Sequence, residues 1–375
     1  MTQKINYKDK PWLKHYAPGV PATINYKEIT IPQMLKNTVK LYPDKTALVC
    51  QDYHMTYSEL SKMVDQFTAV LAGFGISKGD KVAVLLPNCI QIVVAYYSIL
   101  SLGGIAVMNN PMYSDRELEH QFNDSQSILL IALDPFIPRM IALSEKTGIR
   151  KIIYTSMSDY LPEGVTGNPP ADFTDTDDVY KWLDCFEKEL KPAAAERLSF
   201  DDPAILQYTG GTTGVSKAAV LTHRNLSSMV QMYEAWFVDG KKGDETMLAA
   251  SPFFHILGMQ VSMNFGIYMG WKDVLLPVPQ SAFILDAIRK YKPNFSPLVP
   301  THYIGMLQHP DLEKTDLTSF RGLFSGGASL PVDVLHKFEE VSKAEICEGF
   351  GMSETSPQTH LNPYCGGGPR KPGSI

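Results

Sequence analysis

The sequence predicts an α/β protein of parallel βαβ units, organised as two αβα layered subdomains. Three observations carry that expectation. Short apolar runs of strand length alternate with stretches of helical spacing from Ile31 to Cys347. At 375 residues the chain is too long for one small core, so two or three subdomains are expected. Between Ser156 and Asp201 the composition shifts to Gly, Pro and Asp, which marks a boundary. The resulting division is an N-terminal arm over 1–30, a first subdomain over 31–200, a second over 201–350, and a short segment over 351–375.

The arm carries Pro11, Pro18 and Pro21 among aromatic residues and shows little periodicity, so it is expected to lie on the body. Pro32 sits where a helix can start, and the helix runs to about Tyr42. Lys45 to Cys50 reads as a strand after the Pro43-Asp44 turn, and Tyr57 to Leu71 as a helix that Gly73 or Gly75 can close. Lys81 to Leu86 is a strand, and Asn88 is placed to cap the apolar helix that continues to about Leu102. Ile105 to Met108 is a strand. Ser114-Asp115-Arg116-Glu117 is a capping box opening a helix to about Asn123, because serine and glutamate three apart satisfy each other's backbone N–H. Strands at Ile128–Ala132 and Ile152–Thr155 flank one more helix, and a further helix is expected over Val179–Leu190. The carboxylates of Asp172, Asp175, Asp177 and Asp178 read as a solvated loop, since no second cluster accompanies them.

The second half repeats the alternation. Strands are expected at Ala204–Tyr208, Thr246–Ala250, Asp273–Leu276, Asn294–Val299, Gly322–Ser325 and Glu345–Cys347, with helices at Ser281–Tyr291, after Pro300-Thr301, and at Pro331–Val341. After Glu245 no Asp, Glu, Lys or Arg occurs until Lys272, long enough to cross a bilayer. Pro252, His255, Gln260, Asn264 and the glycines at 258, 266 and 270 within that interval favour a buried helix beside a pocket.

A net charge of −6 with no long basic run points away from nucleic acid and is too mild for disorder. The five scattered cysteines form no CxxC pair, which favours a reducing cytoplasm and argues against structural zinc. Met1-Thr2-Gln3-Lys4 is polar, unlike the start of a signal peptide. A cytoplasmic protein is expected, with at most peripheral contact at the inner membrane face. Its oligomeric state is not legible.

One stretch concentrates the chemistry: Tyr208-Thr209-Gly210-Gly211-Thr212-Thr213-Gly214-Val215-Ser216-Lys217. It follows a buried strand and precedes a segment of helical spacing at Thr222-His223-Arg224-Asn225-Leu226, so it is expected to be a strand-to-helix loop. Its glycines permit positive φ and uncover backbone N–H groups, its hydroxyls add donors, and Lys217 adds a positive charge; together these suit a polyphosphate. The spacing is not that of a Walker loop, because neither Gly210 nor Gly211 is followed four residues later by Gly-Lys-Ser/Thr. A plain Gly/Ser/Thr linker is the competing reading, and the repeated Gly-Thr after a buried strand weighs against it.

This motif, with Leu221-Thr222-His223-Arg224-Asn225 behind it, resembles the phosphate-binding signature of the adenylate-forming (AMP-binding) enzymes, a superfamily that includes acyl-CoA synthetases, firefly luciferase and peptide-synthetase adenylation domains. Gly210, where many members have serine, makes it most similar to the long-chain fatty-acid CoA ligases; Ser216 and Ala218 replace the commoner proline and glycine. The resemblance runs from about Ile31 to the last residue. It implies ATP, Mg²⁺ and coenzyme A as ligands and a small carboxylic acid as substrate. It also implies that Thr209, Gly210, Gly211, Thr212, Thr213, Gly214 and Lys217 hold the phosphates. Pro252-Phe253-Phe254-His255-Ile256-Leu257-Gly258-Met259 resembles the segment bordering the acyl pocket and adenylate, and Val299-Pro300-Thr301 resembles one lining the acyl site. Taken alone, His255 on an apolar stretch would be a satisfied core residue. Ser325-Gly326-Gly327-Ala328-Ser329-Leu330-Pro331 resembles the adenine-contacting segment, with Gly327 and Ala328 against the ring; by spacing alone it is a tight βα turn. Glu348-Gly349-Phe350-Gly351-Met352-Ser353-Glu354 resembles a second nucleotide signature, in which Phe350 stands for the stacking aromatic, Ser353 for a phosphate-binding threonine and Glu354 for the Mg²⁺ ligand. By itself the Ser-Glu pair reads equally as a helix cap. The catalytic set implied is Lys217, Thr213, His255 and Glu354. No role as a base is expected of His255, because a carboxylate is already an anion at neutral pH.

The resemblance also implies an acyl-CoA synthetase-like N-terminal domain in which 351–375 begins an incomplete β-barrel subdomain and the C-terminal domain is absent. A polypeptide that stops there is expected to be inactive or only partly active. Two other readings stay open: adenylation of an aryl or amino acid for a carrier protein, and a non-catalytic nucleotide-binding protein.

Overall fold

The two predicted layers are present, but they share a helical layer and exchange strands. The structure is a computed structural model that describes residues 7–167, 177–187, 193, 197–210, 215–363 and 370–375. After two short 3-10 turns (Tyr7–Asp9 and Pro11–His15) the arm leads to α1 (Ile31–Leu41), then to a hairpin of β1 (Thr46–Cys50) and β2 (Tyr53–Thr56). The chain continues through α2 (Tyr57–Gly73), β3 (Lys81–Leu85), α3 (Ile90–Ser101), β4 (Ile105–Met108), α4 (Asp115–Ser125), β5 (Leu129–Leu133), α5 (Ile137–Ser144), β6 (Lys151–Thr155) and β7 (Val179–Lys181). A second hairpin of β8 (Pro203–Thr209) and β9 (Lys217–Thr222) precedes α6 (His223–Trp236) and β10 (Thr246–Ala249). A π-helical segment (Gly258–Asn264) runs into α7 (Phe265–Met269). The remainder is β11 (Lys272–Leu275), α8 (Ser281–Tyr291), β12 (Phe295–Leu298), α9 (Pro300–Leu307), β13 (Gly322–Ser325), α10 (Val332–Ser342), β14 (Ile346–Gly351) and β15 (Gln358–Leu361).

One sheet has the order β7-β6-β5-β3-β4-β8-β9 and the other β15-β14-β13-β12-β10-β11-β1-β2. Both are mixed: the interior pairs are parallel, while β9, β2 and β15 add antiparallel edges through hairpins or a tight turn. The boundary placed at residue 200 therefore does not separate the sheets. β1 and β2 belong to the sheet of the second half, and β8 and β9 complete the sheet of the first.

Alternation along the strands shows how the layers stack, since successive side chains point to opposite faces. Val82 and Val84 join the large central cluster with Leu48, Met247 and Ala249, whereas Ala83 and Leu85 pack with α4 and α5 on the outer face of the first sheet. Val49 and Leu248 pack outward against α8, α9 and α10. The middle layer is built from helices such as α2, α3 and α6, and α3 is buried without interruption from Ile90 to Leu100. A helix apolar on every face is what a position between two sheets requires. At roughly 1.5–3 kcal/mol for each large aliphatic side chain buried, this layer dominates the cohesion between the halves.

Three local expectations need correction. Asn88 does not cap α3: Cys89 holds the cap position, and the Asn88 side chain is committed elsewhere. The helix expected over Val179–Leu190 is instead β7, which pairs with β6, followed by a 3-10 turn at Leu183–Phe186; Trp182 is fully buried there against Phe67. The third is the motif loop, which joins two antiparallel strands rather than a strand and a helix. Thr222 then starts α6 with a capping box to Asn225. The uncharged interval after Glu245 is a strand and a buried π/α-helical run, and among the described residues no helix is long and apolar enough to cross a membrane.

Candidate functional site

Parallel strands collect their following loops along one sheet edge, the usual place for a ligand crevice. The loops after β10, β12, β13 and β14 converge in this way on a cleft of about 540 Å³. Its walls come from Ser251 to Leu257, Val299 to Thr301, Gly326 to Ala328 and Gly349 to Ser353, with Pro357 and Gln358 closing one side. All four segments singled out downstream of the motif thus face one space. His255, Gly327, Ala328, Gly349, Gly351, Met352 and Ser353 line it.

The 251–258 loop owes its shape to side chains from the other half of the molecule. Asn88 Nδ2 donates to the carbonyls of Ala249 and Ser251, both at 2.9 Å, and its Oδ1 accepts from the Phe253 N–H at 2.7 Å. Gln207, on β8, donates to the Phe254 carbonyl at 2.9 Å. The loop then turns so sharply that a Cβ on Gly258 would lie 2.4 Å from the carbonyl oxygens of Ser251 and Pro252, so only glycine fits. His255 stands at the cleft mouth, where loss of surrounding water lowers its pKa below the ordinary histidine value. On the next wall burial lowers the His302 pKa to about 4, and its neutral Nδ1 accepts from the Val299 N–H at 3.4 Å.

The opposite wall is bare backbone. Gly351 packs so closely on β15 that a Cβ would meet the Pro357 carbonyl oxygen at 2.2 Å. Phe350, between the two cleft-lining glycines, is not on this wall; it is half exposed, with its ring 6.2 Å from that of His360. Glu348 is buried and turned away, accepting from the Gly373 N–H at 2.9 Å and from Asn362 Nδ2 at 3.5 Å, which fastens the chain's last described segment. Glu354 lies exposed on the 3-10 turn Ser353–Thr355 beside the cleft.

Of the glycine-threonine motif, Thr209, Gly210 and Lys217 are described; Gly211, Thr212, Thr213 and Gly214 lie outside the described residues. Thr209 and Lys217 face each other as the last pair of the β8–β9 hairpin. Lys217 is exposed. Both strands lie against the Ser353–Thr355 turn, which places the hairpin next to Glu354 and, through Gln207, next to the His255 loop. His120 Nε2 is 2.9 Å from the Ser216 carbonyl and anchors the returning strand.

Mg²⁺ takes one or two protein carboxylates and completes its shell with water and phosphate oxygens. A lone exposed Glu354 beside the hydroxyl of Ser353 fits that pattern. Among the described residues no group of three or more His, Cys, Asp or Glu is placed to hold a metal by itself. Asp172 and Asp175 of the acidic stretch lie outside the described residues.

Sequence reasoning missed Asn88, Gln207 and Gln358. Gln207 carried a signal, as a polar residue inside an apolar strand. Asn88 was noticed but given a local cap, and nothing in the sequence pointed to Gln358.

The profile of the AMP-binding enzyme family matches residues 35–375. The chain is 39% identical over 377 residues to a long-chain-fatty-acid–CoA ligase of Bacillus subtilis (strain 168), covering 98% of this chain and 67% of that protein. Among solved structures, an anthranilate CoA ligase in complex with anthranoyl-AMP superposes with a TM-score of 0.82 at 24% identity, over 94% of this chain and 64% of that one. The N-terminal domain of FACL13 from Mycobacterium tuberculosis gives 0.74 at 23% identity, over 89% of this chain and 78% of that one. The chain thus spans about two thirds of the length of the curated relatives it matches.

Proposed function

Since this chain belongs to the AMP-binding enzyme family, we propose that it activates a long-chain fatty acid with ATP and passes the acyl group to coenzyme A. The observation that carries this reading is the convergence of the His255 loop, the Gly327-Ala328 turn and the Gly349–Ser353 strand on one cleft beside the Thr209–Lys217 hairpin. ATP lies with its phosphates along that hairpin and its adenine between the Gly327-Ala328 backbone and the glycine-rich edge of β14. Glu354, with Ser353, would hold Mg²⁺, which when bound offsets negative charge on the phosphates.

A carboxylate oxygen of the acid attacks the α-phosphorus, the bond to the β-phosphate bridge breaks, and pyrophosphate leaves. The thiol sulfur of coenzyme A then takes the acyl carbon, and AMP departs with the former carboxylate oxygen. The protein's task is to hold two anions together and receive growing charge, for which Lys217 and backbone N–H groups suffice. His255, kept neutral by its lowered pKa, borders the acid without adding a positive charge.

Pyrophosphate exchange with a panel of carboxylic acids, measured in the complete protein, tests this reading. Fatty acids should support exchange, and Lys217→Ala should cut it by about 10²–10³-fold. Unchanged exchange would reject the role of Lys217, and a preference for aryl or amino acids would favour a carrier-protein acceptor.

A further inference from the structure

Two walls of the cleft are joined by a polar relay that runs through the core. The π-helical segment Gly258–Asn264 continues directly from the His255 loop, with the Met259 N–H donating to the His255 carbonyl at 3.0 Å. On this segment Gln260 and Asn264 are both buried. A buried amide needs a partner for each of its polar atoms, and here each atom has one. Gln260 Nε2 donates to the carbonyls of Leu226 and Ser356, both at 3.1 Å, and its Oε1 accepts from Asn264 Nδ2 at 2.7 Å. Asn264 Nδ2 also donates to the Tyr96 hydroxyl at 3.0 Å, and its Oδ1 accepts from the Tyr97 hydroxyl at 3.0 Å. Tyr96 and Tyr97 lie on α3, so the relay begins on the central helix and ends at Ser356.

Ser356 is where a tether matters. It closes the 3-10 turn Ser353–Thr355, which carries Glu354, and Pro357 and Gln358 after it form one side of the cleft. Its φ of 70° lies in the left-handed region, which a residue with a side chain occupies only where its surroundings hold it. Bonds inside the turn, from the Ser356 N–H to the Ser353 carbonyl at 3.2 Å and from the Met352 N–H to the Pro357 carbonyl at 2.9 Å, shape it without locating it. Among the described residues, the one hydrogen bond that reaches 352–357 from elsewhere in the chain is that of Gln260. The His255 loop, by contrast, has Asn88 and Gln207 as further supports.

We infer that Gln260 is a positioning residue for the metal side of the cleft. Through the Ser356 carbonyl it sets the place of the Glu354 turn relative to the His255 loop, from which its own segment continues. This rests on the reading of Glu354 as the Mg²⁺ carboxylate. Loss of the Gln260 amide leaves the turn its shape and loosens its position, so the metal requirement rises while binding of the acid stays as it was.

The test uses the complete protein. Gln260→Met keeps the side chain's length and removes its donors; Tyr97→Phe removes only the hydroxyl at the outer end of the relay and is the milder change. Amide hydrogen exchange, followed without nucleotide or metal, should quicken at 352–356 by about tenfold in Gln260→Met and about twofold in Tyr97→Phe, while 251–258 keeps its wild-type protection. In pyrophosphate exchange the Mg²⁺ concentration for half-saturation should rise by about the same factors, with KM for the fatty acid within about twofold of wild type. Should Gln260→Met fail to fold, Tyr97→Phe decides alone. Wild-type protection at 352–356, or a loss of protection spread over the whole second sheet with the Mg²⁺ requirement unmoved, would overturn the role of Gln260. Glu354→Gln separates this inference from the reading beneath it. If that variant raises the Mg²⁺ requirement and the relay variants do not, Gln260 loses its role and Glu354 keeps its own. If Glu354→Gln leaves the requirement unchanged, both fall.

Discussion

The two sheets share one plan and end their strands differently. In the first, the strand ends are tied off by side chains. Thr155, at the end of β6, donates to Asp159 at 2.6 Å and accepts from Gln91 at 2.9 Å, and Asn109, just past β4, donates to Gln121 at 2.6 Å. In the second, Gly326-Gly327-Ala328 after β13 and the glycines at 349 and 351 at the end of β14 carry no polar side chain to tie off the edge, and the cleft lies there. A parallel sheet supplies an edge where loops gather; whether that edge becomes a site depends on the size of the residues that follow the strands. The first sheet still contributes, because Asn88 and Gln207 reach across to shape the second sheet's loop.

Gly258→Ala attacks the open edge most directly. Its methyl group would collide with two backbone carbonyls that cannot retreat, so the 251–258 loop must rebuild. We expect a stability loss of roughly 3 kcal/mol and loss of nucleotide or acid binding in the cleft, read by denaturant melts and calorimetry. Wild-type binding in this variant would mean that the loop has another arrangement.

Asn88→Ala separates support from site. Removing it strands the Ser251 carbonyl and the Phe253 N–H in a buried position and leaves the Ala249 carbonyl with the Leu276 N–H alone, at a cost of about 2–3 kcal/mol. Thr155→Val, at a tied-off strand end of the same sheet, should cost about 1 kcal/mol. The informative measurement is ligand affinity at equal folded fraction: Asn88→Ala should weaken it severalfold, and Thr155→Val should leave it unchanged. Equal effects would erase the distinction between the sheets.

The same contrast explains how much was legible beforehand. Most parallel strands and their helices appear in the sequence because a buried strand is a short apolar run and the helices between them keep a 3.6-residue period. The edge strands did not. β9 is Lys217–Thr222, with Val220 57% exposed, and it is a strand only because β8 pairs with it; β15 and β7 likewise depend on a neighbour rather than on their own pattern. The exchange of β1–β2 and β8–β9 between sheets is a long-range fact with no local sign. At the site, the cleft-lining small residues were visible as motifs, whereas the placement of Glu348 and Phe350 off the cleft wall depends on strand facing at the end of β14, where the pairing register shifts between Phe350 and Gly351.

Acid should loosen the joint between the halves. His223, fully buried at the start of α6, has its pKa lowered to about 4, chiefly by burial, with Asp202 opposing and Lys78 reinforcing the shift. Its Nδ1 accepts from the Ile31 N–H at 3.4 Å, which requires the neutral ring. The unfolded chain binds this proton near pH 6.5 and the folded chain only near 4, so stability is intact above 6.5 and falls as pH drops through that window. The loss should be on the order of 2 kcal/mol, and His223→Gln should flatten that part of the pH–stability curve.

The smallest effect comes from a buried carboxyl group of the second sheet. Asp273, on β11, is fully buried and neither carboxylate oxygen has a hydrogen-bond partner in the structure. Burial raises its pKa well above the ordinary carboxylate value. The folded chain therefore holds a proton that the unfolded chain releases, and stability declines as pH rises above about 4 toward the folded-state pKa. Asp273→Asn keeps the shape and removes the ionisation. It should stabilise the protein by roughly 1 kcal/mol or more at pH 7, with the gain vanishing near pH 4 in paired denaturant titrations. A gain independent of pH would point to packing rather than to the proton, and no gain at all would mean that the carboxylate is satisfied by a group that the fold admits from solvent.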